Sequence, residues 1–410
     1  LVIWQKEAGP NDRWTLHLRF EMANVLRFQG WYSRALEIDQ DVYERQREAL
    51  GDDDDHALMT AGGLTADLRA VGQVGRALEI DRETYERSVD LLGEDHARTL
   101  FAANNLAVSM RMAGDCYEAQ SVDKENCEQR ALTLGPSHPY TLFSQINLGR
   151  DQRSCGEYEA SEATLRGVYE TAVELGPEQP PALEAAKALA ITLRRLDRLD
   201  EAMDISRQVL DICRRRLGED SPETLVVRLG HAGHLAAAER HEEACEETAD
   251  LLERFRTALG ESHPNTLACA VNHGINLLST ERFAEARDVC EEARSALRTT
   301  LGPEHPFSMN CQMNLANAEA ALGEATQAEH NYRQAYRELC DRLGSDHPTA
   351  LTCRGNLSVL LKEVGRTAEA EQLARESLDV LGAKLGAKHS KVVRLRNGRR
   401  VGLELDPHPI

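Results

Sequence analysis

Five asparagines recur at matching positions along the chain and could hold an extended peptide. They are Asn105, Asn147, Asn272, Asn314 and Asn356, called here the asparagine ladder. Each side-chain amide carries both donors and an acceptor, so a row of them could hydrogen-bond a backbone without reading its side chains. Alternatively, each Asn hydrogen-bonds a neighbouring helix. Ala188 and Gly230 interrupt the row and divide it into an N-terminal and a C-terminal stretch.

A second group of side chains has the ligand types that suit zinc. His231 and His234 share one helix face, and His241 and Cys245 follow at the next turn. Their spacing matches no standard zinc site. The sequence also contains no P-loop, no His-Glu-x-x-His, no Gly-x-Ser-x-Gly and no Gly-x-Gly-x-x-Gly. We therefore predict a protein that is not an enzyme and has no cofactor, and keep an unrecognised enzyme or metal-binding protein as the third reading.

The composition limits the partners. The chain has 410 residues and a formal net charge of −20, which disfavours nucleic-acid binding over most of its length. The segment 381–400 differs, because its charged residues are all basic, so this end is left open as a docking site for an acidic partner. No apolar run approaches a membrane span. The ten cysteines lack Cys-x-x-Cys pairs, which favours reduced thiols and a cytoplasmic location.

These residues are positioned by an internal repeat. A Leu-Gly pair recurs nine times, nearly always 42 residues apart, with first members at Leu50, Leu92, Leu134, Leu175, Leu217, Leu259, Leu301, Leu343 and Leu385. The residue 27 positions after Ala8, and after each of the first eight of these Leu residues, is small, and in eight of these nine repeats it is Ala. Such a period predicts stacked structural units rather than two or three ordinary domains.

Each unit reads as a helical hairpin. Gly after Leu suits a helix end that needs positive φ. His-Pro pairs such as His305-Pro306 place Pro in the first helical turn and the preceding residue at the N-cap. Six junction histidines share that position and lie a full repeat apart, too far to share a metal ion, so we expect them to cap helices or pack loops. They are His96, His138, His263, His305, His347 and His389.

The pattern Leu-Gly-x-x-His-Pro, then Asn-Leu-Ala, then Gly and Ala resembles the tetratricopeptide repeat, as in Leu301 to Ala328. The 42-residue period is similar to that of kinesin light chains and many bacterial regulators. The resemblance implies an all-α, right-handed superhelical α-solenoid of about nine hairpins, with the asparagine ladder facing its concave groove. The whole pattern is also similar to tetratricopeptide proteins of actinobacteria, some of which are the C-terminal parts of NB-ARC/STAND ATPases. The His-Pro repeats and the ending Asp-Pro-x-Pro are similar to those of proteins that accompany FxSxx-COOH systems.

The predicted organisation has four parts. Residues 1–8 are the tail of a preceding repeat helix, 9–386 the solenoid, 387–400 a basic capping helix and 401–410 an extended C-terminal tail. We interpret the chain as a non-catalytic scaffold or adaptor that binds a protein or peptide in its groove. The alternative is the ligand-sensing C-terminal region of a larger STAND-type signalling or defence ATPase, with the ATPase module upstream of Leu1.

Overall fold

A computed structural model describes residues 9–51 and 53–408. The predicted helix tail at 1–8 and the last two residues of the predicted extended segment lie outside the described residues. Within the described ranges the chain forms nineteen helices and no strand. None of these helices is long and apolar enough to cross a membrane.

The helices alternate between a first and a second member of each hairpin. The first helices are α1 Arg13–Phe28, α3 Asp55–Ala70, α5 Ala97–Ala113, α7 Pro139–Ser154, α9 Pro180–Arg195, α11 Pro222–Ala237, α13 Pro264–Ser279, α15 Pro306–Ala321 and α17 Pro348–Glu363. The second helices are α2 Tyr32–Leu50, α4 Val74–Leu92, α6 Cys116–Leu134, α8 Tyr158–Leu175, α10 Leu199–Leu217, α12 His241–Leu259, α14 Phe283–Thr300, α16 Ala325–Leu343 and α18 Thr367–Leu385. A short helix, α19 Ser390–Arg396, ends the series. The predicted all-α solenoid of helical hairpins is confirmed.

The chain divides into two compact units between Leu148 and Gly149. In the N-terminal unit, first helices α1, α3 and α5 contact one another in sequence order. In the C-terminal unit, α9, α11, α13, α15 and α17 do the same. In each unit these first helices thus form a continuous layer. The ladder residue Asn105 lies on α5 in the first layer, Asn272, Asn314 and Asn356 lie in the second, and Asn147 lies on α7.

The junction histidines are helix N-caps. In all six, ring Nδ1 accepts the backbone N–H of the residue two positions later, at 3.0–3.3 Å. Accepting at Nδ1 requires the neutral ring with its proton on Nε2. The prediction that these residues cap helices is confirmed, and it accounts for the recurrence of His before Pro.

The turn inside each hairpin needs a left-handed residue. Gly fills this position in six repeats, as at Gly323 with φ of 82°. The other three repeats place Asp197, Glu239 and Glu281 there, with φ of 58°, 60° and 61°. Because a side chain is unfavourable in this conformation, these three turns carry strain that the glycine repeats avoid.

Three cysteines recur at one position on successive first helices, and all are buried. Each Sγ lies within hydrogen-bonding distance of a carbonyl oxygen on the preceding second helix: Cys269 with Thr248, Cys311 with Cys290 and Cys353 with Tyr332. Burial raises the pKa of each thiol. These residues fill tight helix contacts and are kept protonated.

Within the C-terminal unit, residues more than four repeats apart in sequence are joined by hydrogen bonds. His347 Nε2 donates to the carbonyl of Ser154 at 3.1 Å, and His389 Nε2 donates to that of Arg195 at 2.9 Å. In each of these two histidines, the same tautomer therefore caps a helix through Nδ1 and joins two distant parts of the C-terminal unit through Nε2.

After α19 the chain leaves helical structure and runs back along the first helices as an extended segment. From here on, the C-terminal tail means residues 397–408, which begin four residues before the predicted tail and cover its described part. Of the basic segment predicted as a capping helix, the helical part is Ser390–Arg396. Two of the basic side chains nearby pair with acids, Lys384 with Asp346 and Arg400 with Glu363.

Candidate functional site

The C-terminal tail lies against three members of the asparagine ladder. Asn356, Asn314 and Asn272 stand on α17, α15 and α13 respectively, and each exchanges a pair of hydrogen bonds with one tail residue. Each amide nitrogen donates to a tail carbonyl and each amide oxygen accepts the N–H of the same residue, at 2.8–2.9 Å: Asn356 with Val401, Asn314 with Leu403 and Asn272 with Leu405. The tail therefore advances two residues for each repeat and runs opposite to the repeat order.

Two further asparagines that the sequence analysis did not single out extend this contact. Asn265, at the start of α13, donates to the carbonyl of His408 at 3.0 Å and accepts its N–H at 2.7 Å. Asn317 donates to the Val401 carbonyl at 3.2 Å. Asn317 lies three residues after Asn314, one helical turn along the same face, which is a signal the sequence contains.

The other two ladder members belong to the N-terminal unit. Asn147 Nδ2 donates to Asn104 Oδ1 at 3.2 Å, and Arg111 donates to Asn147 Oδ1 at 3.5 Å. Asn105 is buried on α5. For Asn147 the contact with a neighbouring first helix matches the alternative interpretation, and the assignment of the whole ladder to peptide binding remains a prediction.

Alternate side chains of the tail are buried in the C-terminal unit. Val401, Leu403 and Leu405 retain 6%, 3% and 1% of their exposure. Leu405 belongs to a core cluster with Ala268 and Cys311. At the far end of the tail the His408 ring stacks on Phe307, with centroids 4.9 Å apart. The groove, meaning the surface of α13, α15 and α17 that contacts the tail, is thus apolar between its asparagines.

The tail's acidic residues meet an arginine cluster made of Arg153, Arg194 and Arg195. Both Arg194 and Arg195 donate to Asp406 Oδ1 at 2.9 Å, and Arg153 Nε lies 3.5 Å from Asp406 Oδ2. Arg194 also pairs with Glu404 at 2.9 Å. Burial would raise the pKa of Asp406, but the arginines, Arg195 foremost, lower it to about 2. The carboxylate is therefore held ionised.

The repeat explains why this cluster is available to the tail. Arg153 and Arg194 occupy the repeat position that Arg27 and Arg69 occupy in the N-terminal unit. There, Arg27 pairs with Asp39 at 2.7 Å and Arg69 with Asp81 at 2.7 Å, each Asp standing twelve residues later.

The corresponding positions after Arg153 and Arg194 are Leu165 and Ser206. These two arginines thus lack the acid supplied by the earlier repeats, and the tail carboxylates take its place. A repeat-position Arg without its Asp is the sequence signal that could have identified the cluster.

The histidine and cysteine group is not assembled around a common point. The His231 and His234 rings lie 6.3 Å apart, His231 Nδ1 is 3.3 Å from Ser206 Oγ, and Arg282 lies 3.9 Å from Cys245 Sγ. Burial lowers the pKa of both histidines. Across the described residues no set of three or more His, Cys, Asp or Glu side chains has the geometry to hold a metal ion.

Two models described as tetratricopeptide repeat match the chain. One matches residues 181–244, 223–299 and 268–337, and the other matches 21–58 and 350–390. The chain belongs to the tetratricopeptide repeat family.

Among solved structures, the chain is similar to a Rap protein complexed with Competence and Sporulation Factor, at 14% identity and a TM-score of 0.55 over 84% of this chain and 98% of that one. A kinesin light chain protein with nearly identical TPR-like repeats from Podosopora anserina is 23% identical over 49% of this chain and 95% of that one, with a TM-score of 0.40. BtubC (BKLC) from P. vanneervenii is 18% identical over 57% and 92%, with a TM-score of 0.41. A search of curated proteins finds no significant match.

Proposed function

We propose that this protein is a non-catalytic scaffold whose groove binds an extended peptide segment of another protein. One observation carries the proposal: Asn272, Asn314 and Asn356 pair with both the N–H and the C=O of alternate residues in an extended chain. Such pairing reproduces one edge of a β-ladder and does not depend on the identity of the bound side chains. A Rap protein of similar fold complexed with Competence and Sporulation Factor is consistent with it.

The test uses the complete chain with its tail displaced. Leu403→Asp combined with Leu405→Asp places carboxylates at two buried apolar positions, which should release the tail and leave the groove unaltered. A fluorescein-labelled peptide with the sequence of residues 399–408 is then titrated by fluorescence anisotropy. We expect saturable binding to the double variant.

Asn314→Ala with Asn356→Ala, added to the released protein, should weaken that binding at least tenfold. Each substitution leaves backbone groups of the peptide without partners, at a cost of about 1–3 kcal/mol for each site. Asn276→Ala is the matched control, because Asn276 is buried on α13 but donates to Ala244 rather than to the tail. Unchanged affinity in the Asn314/Asn356 variant would refute the proposed role of the ladder.

The ligand-sensing region of a larger STAND-type ATPase is the second candidate. It is favoured by the presence of the chain's own tail in the groove, since a groove filled in cis changes state when a ligand replaces the tail. A longer chain carrying an upstream ATPase module should then hydrolyse ATP at a rate that the Leu403→Asp/Leu405→Asp substitutions change. A rate equal to that of the unsubstituted chain would favour the passive scaffold.

We also propose that the protein acts in the cytoplasm, as its buried thiols suit a reducing compartment. Cell fractionation tests this, and recovery from the periplasmic or secreted fraction would contradict it.

A further inference from the structure

Besides the asparagines that pair with a peptide backbone, the groove has sites that contact the side chains of the bound segment. These sites indicate which side chains a ligand should carry. Three apolar sites accept side chains at alternate positions, where Val401, Leu403 and Leu405 now lie. Val401 packs in a cluster with Leu351 and Leu395. The side chains between them face other surroundings, as expected for an extended chain whose successive residues point to opposite sides.

One intervening position is restricted to glycine. A Cβ built on Gly402 would lie 2.7 Å from Ile275 Cγ2 and 3.3 Å from its Cγ1. Ile275 is held on α13 among packed neighbours of the same core cluster as Leu405. The groove therefore tolerates little beyond Gly between the first and second apolar sites.

A carboxylate occupies the position directly after the third apolar site. Asp406 follows Leu405 and meets Arg194 and Arg195 at 2.9 Å, while Arg153 lies within 3.5 Å. Three guanidinium groups around one site repel each other unless an anion is present, so an uncharged residue at this position would leave a buried excess of positive charge. This makes the arginine cluster a specificity site rather than a general electrostatic attraction.

We propose that the C-terminal tail is a built-in competitor for the groove, and that the partner is a protein segment with the same pattern: aliphatic, Gly, aliphatic, any residue, aliphatic, acidic. This inference rests on the proposed function and adds a ligand class and a mode of regulation to it. The tail is joined to the solenoid through α19, so it competes as a tethered ligand.

Tethering sets the expected size of the competition. A short flexible connection gives an effective concentration of ~1 mM, so a tail whose untethered sequence has a Kd of ~10 μM for the empty groove would weaken the binding of any competing peptide about 100-fold. The partner must therefore match the pattern closely or act at high local concentration to displace the tail.

The test compares complete chains that differ in the tail. Gly402→Val forces a clash with Ile275 and should release the tail, and Leu403→Asp/Leu405→Asp releases it by a second route. Both are titrated with the labelled 399–408 peptide, and circular dichroism checks that they remain helical. We expect each released protein to bind at least tenfold more tightly than the unsubstituted chain, and equal affinity in all three would overturn the competitor role.

Peptide variants test the pattern on the released protein. A peptide with Asp406→Asn or with Gly402→Val should lose at least tenfold in affinity. Glu404→Gln should lose less, since the Glu404 carboxylate pairs with Arg194, whereas Arg195 contacts the Glu404 backbone carbonyl, which the substitution leaves in place. Equal binding of the Asp406→Asn and parent peptides would overturn the acidic requirement. Binding that is lost with Asn314→Ala/Asn356→Ala, yet indifferent to the peptide pattern, would refute this inference and leave the proposed function standing. If the released proteins bind none of these peptides, both fail.

Discussion

In some junction histidines, the neutral ring supports two separate contacts, a helix cap and a hydrogen bond to a distant carbonyl. His347 uses Nδ1 to cap α17 and Nε2 to donate to Ser154, so both nitrogens have fixed roles. A proton added at Nδ1 would face the N–H of Thr349 and remove the cap. Burial, only partly offset by the bond to Ser154, lowers the pKa of His347 to about 4.

The pH dependence follows from the sign of that shift. A histidine whose pKa is lower in the folded state than in the unfolded chain binds fewer protons when folded, so stability falls as pH decreases from 6.5 towards 4. Between pH 7.5 and pH 5, His347 should contribute a loss of about 2 kcal/mol in the free energy of unfolding.

His347→Gln tests this contribution, because Gln can donate to Ser154 but does not titrate. The difference in urea midpoint between pH 7.5 and pH 5 should be smaller in the variant than in the unsubstituted protein. His96→Gln serves as control, since His96 has the same capping role but an exposed side chain. An identical pH dependence in the His347 variant would show that this ring is not held neutral.

At the residue scale, the alignment of the ladder asparagines on one face was predictable from the sequence. The tail residues that they pair with were not. Asn272, Asn314 and Asn356 share a repeat position, and periodicity alone aligns them on one face. Asn265 stands outside that register, and it takes part because the tail turns towards the start of α13. The repeat period carries no information on where a non-repeating segment such as the tail lies on a repeating surface.

At the scale of the helical hairpin, the inner turn differs among repeats in a way that should affect stability. Glu281 has φ of 61° where six other repeats have Gly. Glu281→Gly should raise the free energy of unfolding by about 1 kcal/mol, because Gly reaches this conformation without steric cost. Urea denaturation monitored by circular dichroism measures the change.

Glu281→Ala separates this effect from loss of the Glu charge. Ala has a Cβ and gains nothing in the left-handed region, so we expect it to fall well short of the Gly variant. Equal stabilisation by Ala and Gly would contradict the strain argument. Asp197 is a poorer choice, because its carboxylate accepts hydrogen bonds from Ser390.

The helix boundaries were accessible to sequence reasoning for a simple physical reason. His-Pro starts and Leu-Gly ends act within a few residues, so their effect does not depend on distant contacts. The arginine cluster, in contrast, depends on contacts with a segment more than 200 residues away. Arg153 and Arg194 look like structural repeat residues until their missing Asp partners are noticed at Leu165 and Ser206.

At the scale of the C-terminal unit, the tail and the first helices should behave as one cooperative structure. The N–H groups of Val401, Leu403 and Leu405 donate to buried Asn side chains. We expect hydrogen exchange in a proteolytic peptide covering 397–410 to be at least tenfold slower than in the free peptide.

Asn314→Ala with Asn356→Ala should abolish much of that protection, whereas Asn276→Ala should preserve it. Exchange in the unsubstituted protein at the rate of the free peptide would show that the tail does not rest in the groove. The same measurement in the presence of a pattern-matched peptide should show protection decreasing as the tail is displaced.

The direction of the tail also has a consequence for biosynthesis. A polypeptide is made from its N-terminus, so every first helix of the groove is synthesised before Val401, Leu403 and Leu405 exist. The nascent repeats therefore pass through an interval in which the asparagines and the arginine cluster are exposed and unoccupied. During that interval another extended segment with the same pattern can enter the groove without having to displace anything.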